Sequence, residues 1–542
     1  MDNDRGKLLF GVEVELGFAV EDDQGVPLAA DHAVESYLAL CAEKFVHLPG
    51  GGGDRLYLAN GSLLYPDMGH PEFATAESPS PVSLLQSLRA GESMLTEAAE
   101  ELASRDEIGS VSLYRSNVDY AAIGTTWGCH ESYLSRCPPE QYAERVVPHL
   151  VSRIIYTGSG GFDNHSRGAA FMLSPRAAHL DSVVGYDGQG ARPIFSLRDE
   201  SLSNNKYYRV HLICGEPNCS ELSTYLKVGT TALVLAMADA GIDVGIAAYQ
   251  LMEPVSVMSR FSLDPECRKR ALCADGQRRT AIEIQRHYLE LAEKHRNAPF
   301  MPDWCEEVCV KWREVLFDLE ADPEALIGSL DWPTKLILFK QHLRSRSSLS
   351  WNSLAVWTSV ASRVSRALAT PEDPWPRVTS CRVKTILNSG GAIAQVFRNL
   401  SGMLDEHGLD WDELDSFHDL RDQLCELDLR YGQLVPRGIF LDLEEVGEIR
   451  NRLLDRAQIA AAIDRAPAEG RARVRGDWVQ LLAGSNKKFS CDWTRIDGGA
   501  KTIDLGDPFV TQADWKHQAI RRKFRCQLQE LNLETPSLFT DG

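Results

Sequence analysis

The chain has 542 residues, of which 44% are hydrophobic and 25% charged, ordinary globular values that permit a large buried core and, by length, roughly two to four domains. A net charge of −20, from 57 Lys+Arg against 77 Asp+Glu, excludes a basic footprint for nucleic acid and disfavours an anionic membrane surface. Glu13 and Glu15 break the N-terminal apolar run, no run of about 18 apolar residues occurs elsewhere, and 13 cysteines without a C-x-x-C pair read as reduced thiols of a cytoplasmic protein.

In chain order, residues 8–20 read as a strand. Alternation places Val12, Val14 and Leu16 on one face and Glu13 and Glu15 on the other. Two like charges side by side repel unless a cation sits between them, and hard oxygen ligands suit Mg²⁺. An exposed face with two ordinary glutamates is the plain alternative. Ala33 to Phe45 reads as a helix and Gly50 to Gly53 as a loop. Arg55–Leu58 and Leu63–Tyr65 read as strands joined at Asn60-Gly61, a dipeptide that favours a type I′ turn.

The next run, YPDMGHPEFATAE from Tyr65 to Glu77, sets Asp67, His70, Glu72 and Glu77 among small and apolar neighbours, where unpaired charge is costly. It reads as a site, against the alternative of a polar loop whose Glu77-Ser78 caps the following helix, Val82 to Ser104. Residues 110–117 and 207–214 read as strands. Between them, His130 and Glu131 are adjacent and so face opposite sides of a strand; taken alone, His130 reads as a structural histidine with its ring bonded to backbone. Arg209 and His211 share a face, as two cationic donors suited to polyphosphate or as part of a surface salt bridge.

Ser220 to Ala240 is an apolar helix closed by Gly241. Residues 265–345 are mostly helical. Residues 345–415 are helical, Ser-rich and broken at Pro371, Pro374 and Pro376. RARVRGDWVQLL, from Arg471, followed by a short strand CDWTRI and a turn GDPF, reads as a small C-terminal domain beginning near 466. Strands early and helices late predict an α+β fold with an antiparallel sheet. The chain lacks G-x-x-x-x-G-K-[ST], a strand-to-helix G-x-G-x-x-G with its downstream acid, G-x-S-x-G and H-E-x-x-H. A nucleotide bound here would lie on a sheet with metal-bridging glutamates.

Taken in order, GVEVELG, YPDMGHPEFATAE, GCHESY, RPIFSLRDE, YYRVHLICGEPNCSELSTYLKVGTTALVL, LDLRYGQLVPRGIF, RARVRGDW, CDW and GDPF resemble the family of Pup ligases and Pup deamidase/depupylases, distant relatives of glutamine synthetase. The resemblance implies an α+β, glutamine-synthetase-like catalytic domain over 1–465, whose curved antiparallel sheet, packed by helices, cradles Mg-ATP. It implies a helical insertion at about 345–405 and a small C-terminal domain over 466–542. Glu13, Tyr65 and Glu72 match the family's magnesium positions, Thr75 and Trp493 its nucleotide contacts, and Asp67 its catalytic base. Glu15 falls in the metal surroundings, and Arg209 and His211 in those of the ATP phosphates. Leu63 stands where the family carries an ATP-contacting arginine.

The implied cofactors are ATP and Mg²⁺, and the implied partners a small disordered Pup-like modifier and lysine-bearing proteins, with no nucleic acid and no membrane. In the ligase branch a C-terminal glutamate side chain is phosphorylated and passed to a lysine. In the hydrolase branch water cleaves the corresponding amide. FATAE, GCHE and the lack of room for an extra loop in residues 18–64 are ligase-like. The spacing at Asp67-Met68-Gly69-His70, STYLKVGTT and LDWDEL are hydrolase-like. The reading adopted is the ligase, with the hydrolase second. A non-catalytic relative and a small-molecule ligase are the remaining alternatives.

Overall fold

The run expected as one strand over 8–20 is two, β1 (Phe10–Glu15) and β2 (Gly17–Asp22), which enter different sheets. The computed structural model describes residues 6–511 except 122, 187–190, 201, 347–348, 486–487 and 499–501; residues 512–542, the tail of the expected C-terminal domain, lie outside the described residues. Leu16 closes the β1–β6 pairing, its N–H donating to Pro71 O at 3.1 Å, and the chain then crosses at Gly17. At Gly17 a Cβ would meet the Tyr114 side chain at 3.4 Å, so the crossing into the second sheet is close-packed.

After β2 come α1 (Ala30–Lys44), β3 (His47–Pro49), β4 (Leu56–Leu58), β5 (Leu63–Asp67), β6 (His70–Ala74), α2 (Pro81–Ala103), β7 (Ile108–Tyr114) and β8 (Cys129–Ser135). Next are α3 (Ala143–Ser152), α4 (Ile154–Thr157), β9 (Gly161–Phe162), β10 (Phe171–Met172), β11 (Ser182–Gly185), β12 (Pro193–Ser196), β13 (Tyr208–Leu212) and α5 (Glu221–Asp239). The main sheet has nine strands in the order β11-β12-β13-β8-β1-β6-β5-β4-β3. Every pairing is antiparallel except β11 with β12 at one edge. The expected large antiparallel sheet with helices is therefore present, and β1 lies inside it, flanked by β8 and β6. β2 joins β7 and the strand Gln433–Val435 in a separate three-stranded sheet.

The turn chemistry differs from expectation. At Asn60-Gly61 only the glycine has positive φ, 83°, and Leu58 N bonds Ser62 O, so three residues connect the strands. The two-residue turn with both residues left-handed is Met68-Gly69, with φ of 44° and 84°, between the paired Asp67 and His70. Met68 is 90% exposed, so its side chain meets no packing cost in that unusual conformation. The α2 helix begins as proline chemistry dictates, with Pro81 in its first turn and Ser80 capping the Ser83 N–H. The alternative Glu77-Ser78 cap is not formed, since Ser80 caps α2, which leaves Glu77 for another role.

β8 separates two environments. His130 and Ser132 face the open side of the sheet. Glu131 faces the interior, where Arg153 donates to its two oxygens at 2.8 and 2.6 Å and the Tyr133 hydroxyl adds a bond of 2.6 Å. The nearly all-buried α5, capped by Ser220 and followed by Gly241 at φ 80°, covers that interior face. The 345–405 region holds three helices, Trp351–Ala367, Ser380–Leu387 and Ala392–Asp405, with Pro371, Pro374 and Pro376 in the first connection.

The helix Arg471–Leu482 and the strands Ser490–Cys491, Arg495–Asp497 and Thr502–Asp504 follow. CDWTRI is thus not one strand: Asp492 turns the chain by accepting from the Thr494 and Arg495 N–H groups. Val474, Trp478, Ile496 and Ile503 share an apolar cluster with Leu48, Tyr57, Leu63 and Ala74 of the main sheet. No helix among the described residues is long and apolar enough to cross a membrane.

Removing Arg153 while leaving Glu131 buried should be costly. Arg153→Met is expected to lower unfolding free energy by about 3–5 kcal/mol in urea titration; a loss below about 1 kcal/mol would show that Glu131 finds another partner.

Candidate functional site

Strand register, not sequence proximity, assembles the site. Glu15 on β1 pairs with Glu72 on β6, and Glu72 pairs with Tyr65 on β5, so these three side chains form one row on the open face. Glu13 lies one row along, opposite His130 of β8 on one side and Ala74 on the other. Ser132 of β8 pairs with His211 of β13, with Arg209 two residues from it on the same face. Asp67 ends β5, half-buried, on the face of Tyr65. All the expected metal and phosphate residues therefore meet on one floor, with Asp67 at its margin.

The floor is short of positive charge. Arg209 donates to Glu13 at 2.8 Å, to the Ser132 hydroxyl at 3.0 Å and to Glu200 at 3.3 Å. Burial opposes ionisation of Glu13, but Arg209, His130 and His211 outweigh it and hold this carboxyl well below the usual range. Glu15 accepts the Gly128 N–H at 2.8 Å. Glu72, 3% exposed, pairs with no cationic side chain among the described residues. Burial and the charges of Glu13, Glu15 and Asp67 push it up to about 9, against a hydrogen bond from Tyr65. Burial and the same carboxylates raise the Tyr65 phenol.

Ligand atoms of Glu15, Glu72 and His130 lie within 4.8 Å of one another, as do those of Glu13, His130 and His211. His130, expected to be structural, thus belongs to both groups, its Nδ1 3.5 Å from Glu13. Only the cross-strand register reveals this, and the sequence around His130 carries no sign of it. His70 instead anchors the hairpin: its Nδ1 is 3.0 Å from Leu16 O, and its ring stacks on Trp127 at 4.6 Å.

Beside the carboxylate row opens a cleft lined by Glu13, Thr75, Glu77, Tyr207, Arg209 and Trp493 among others. The Thr75 hydroxyl accepts the Val12 N–H at 3.1 Å, fixing the upper end of β1. The Trp493 ring lies 5.7 Å from Tyr57, edge to face, with the Arg475 guanidinium 4.6 Å from its centre. Leu63, 2% exposed, lies opposite Ala74 in the apolar cluster beneath the C-terminal segment. Glu77, the last acidic residue of the run read as a site, lines the cleft and is held by Arg471 and Arg475.

Fold and cleft define a mixed α/β protein with a carboxylate-floored ligand site on the open face of an antiparallel sheet. The family model described as Pup-ligase protein matches residues 9–359 and 397–497, and the chain belongs to that family. A Pup–protein ligase of Acidimicrobium ferrooxidans is 30% identical over 85% of this chain and 88% of its own length. A depupylase of Acidothermus cellulolyticus is 36% identical, over 55% of this chain and 59% of its own length. The crystal structure of the ligase PafA in complex with the prokaryotic ubiquitin-like protein Pup superposes with TM-score 0.72 at 25% identity, covering 98% of this chain and 96% of that one. PafA in complex with ADP gives 0.65 at 25% identity, covering 92% and 94%.

The raised Glu72 has a defined pH signature. Its folded-state pKa lies above that of a free glutamate, so ionising it costs stability as pH climbs toward about 9. Glu72→Gln is expected to raise the melting temperature of the ion-free protein by about 1–3 °C at pH 8 and to change it little at pH 5, measured in chelator. Equal shifts at both pH values would remove the charge crowding inferred here.

Proposed function

We propose that the chain is an ATP- and Mg²⁺-dependent ligase that phosphorylates the C-terminal glutamate side chain of a Pup-like modifier and joins it to a lysine amine. The observation that carries this is the cluster of Glu13, Glu15 and Glu72 beside an open cleft, with Asp67 at its margin, in a chain alignable along 85% of its length with a Pup–protein ligase. In this reading the sheet is a glutamine-synthetase-like cradle, residues 1–465 form the catalytic domain, and 466–542 form a small C-terminal domain. The protein acts in the cytoplasm.

Glu13, Glu15 and Glu72, with the Tyr65 hydroxyl beside them, would hold the ion. The raised Glu72, a buried oxygen donor without a cationic partner, fits a hard divalent cation. When bound, the ion neutralises charge on the terminal phosphates. Arg209 and His211 orient polyphosphate oxygens, and Thr75 and Trp493 seat the nucleoside. The modifier's carboxylate oxygen attacks the γ-phosphorus and ADP leaves, giving an acyl phosphate. A lysine amine then attacks the acyl carbon and phosphate departs with the C–O bond electrons. A lysine ammonium, with an unperturbed pKa of about 10.4, must first lose a proton, and Asp67 accepts it.

The second reading is the hydrolase, in which water replaces the amine. The 36% identity with the depupylase and the two-residue Met68-Gly69 turn beside Asp67 favour it. Incubation with ATP, Mg²⁺ and modifiers ending in Gly-Gly-Glu or Gly-Gly-Gln, followed by mass spectrometry, separates the two. A new isopeptide from the Glu form is the ligase. Loss of ammonia from the Gln form is the hydrolase. Neither product would exclude both.

Asp67→Asn is expected to lower turnover by about 10²–10⁴-fold with Mg-ATP affinity nearly unchanged; full activity would remove Asp67 from the mechanism. Glu13→Ala is expected to lose metal-dependent ATP binding in calorimetry, and unchanged binding would contradict the metal assignment.

A further inference from the structure

Glu77 joins three separate parts of the chain above the cleft. It leaves the end of β6 and receives Arg471 Nε at 2.7 Å and Arg475 Nη1 and Nη2 at 3.2 and 2.5 Å. Burial opposes its ionisation, but Arg475 and Arg471 hold it down to about 2. Arg475, 0% exposed, also donates to Gly61 O at 2.7 Å in the β4–β5 connection and to Trp493 O at 3.4 Å, with its guanidinium over the Trp493 ring. Arg471 donates to Leu202 O on the opposite wall of the cleft and to Leu505 O at 3.3 Å. Glu77, Leu202, Arg471 and Trp493 all line the cleft.

The order of these contacts is informative. One face of the Trp493 indole is covered by a guanidinium that Glu77 fixes in place. The ring is therefore set by a buried, charge-assisted network, not by the apolar cluster alone. Two guanidiniums around one carboxylate also leave a net positive charge at the rim. A bare Glu77 at that position would repel a polyphosphate. With Leu63 in place of a cation on the floor, the rim arginines are the positive groups on the C-terminal side of the cleft.

We infer that Glu77, Arg471 and Arg475 form a positioning clamp that seats Trp493 against the nucleotide, so that nucleotide binding and docking of the C-terminal segment are coupled. The inference rests on the reading of the cleft as the nucleotide site and of Trp493 as its contact. By reciprocity, nucleotide tightens the docking of the segment as much as docking tightens the nucleotide.

The test uses the full chain with Mg-ADP. Affinity is measured by calorimetry and amide exchange is followed across Ser490–Asp504. In the unaltered protein Mg-ADP should slow exchange in that segment. Arg475→Lys keeps the charge but loses the planar fork, and Glu77→Gln removes the carboxylate. Each is expected to weaken Mg-ADP about tenfold and to abolish the nucleotide-dependent protection, with kcat at saturating ATP changed less than KM for ATP. Arg471→Lys should be milder, because two of its contacts are to carbonyls that an ammonium can satisfy in turn.

A folded Arg475→Lys that binds Mg-ADP within twofold of the unaltered protein and keeps the protection would overturn the clamp. If Trp493→Ala weakens Mg-ADP while both clamp variants do not, the clamp alone is wrong. If Trp493→Ala itself binds normally, the reading of the ring as a nucleotide contact falls, and the clamp with it.

Discussion

The interaction on which the rest depends is repulsion among the carboxylates of Glu13, Glu15, Glu72 and Asp67 on one open sheet face. Arg209 engages Glu13, and among the described residues no cationic side chain pairs with Glu72, whose carboxyl is pushed toward neutrality by burial and its neighbours. An antiparallel sheet is what makes such crowding geometrically exact to within one residue. A slip of one residue between β1 and β6 would send Glu13 and Glu15 to the face now occupied by Val12 and Val14. Much of the fold serves to prevent that slip. The interior face is filled by α5 and locked by the buried Glu131–Arg153 pair, and the hairpin carrying Asp67 is pinned through His70 to Leu16 O.

The part of this legible from sequence is the part governed by local periodicity. Alternation alone put Glu13 and Glu15 on one face, and Arg209 and His211 on one face, and both pairings of faces hold in the structure. The break after Leu16 falls at Gly17, a weak strand former, but a lone glycine does not show that the chain changes sheets; pairing of the following residues with β7 decides it. The turn joining β4 and β5 forms at Asn60-Gly61, where propensity puts it, but with three residues and one positive φ. The two-residue turn with both residues left-handed is Met68-Gly69, where the register of β5 against β6 demands it. The roles of His130 and Glu77 are hidden from local sequence for a common reason. Each acquires its role from a partner far away in the chain, Glu13 for one and Arg471 and Arg475 for the other, and no short window contains both members of either set.

The same reasoning explains which acidic residues are site residues and which are structural. Glu131 sits next to His130 in sequence and is more deeply buried than Glu72, yet its carboxylate is fully matched by Arg153 and Tyr133 and so is held in its ionised form. Glu77 is likewise matched, by two arginines. Glu72 is the carboxylate left unmatched, and unmatched buried charge marks a place where an external ion or substrate completes the balance. Burial alone would have ranked these three residues in the wrong order.

Leu63 shows how a change at one position redistributes work across the cleft. A cation there would stand in the same row as Glu13, across Ala74 of β6, on the side away from Arg209. With leucine there, the position packs under Tyr57, Trp478 and the C-terminal strands, so the floor gains apolar contact with the C-terminal segment as it loses charge. Positive charge on that side of the cleft is carried instead by Arg471 and Arg475, which belong to the segment itself and reach the sheet through Glu77. The nucleotide cleft is thus completed from outside the sheet, by residues more than 390 positions away in the chain from the carboxylate they grip, and its electrostatics depend on that segment being docked.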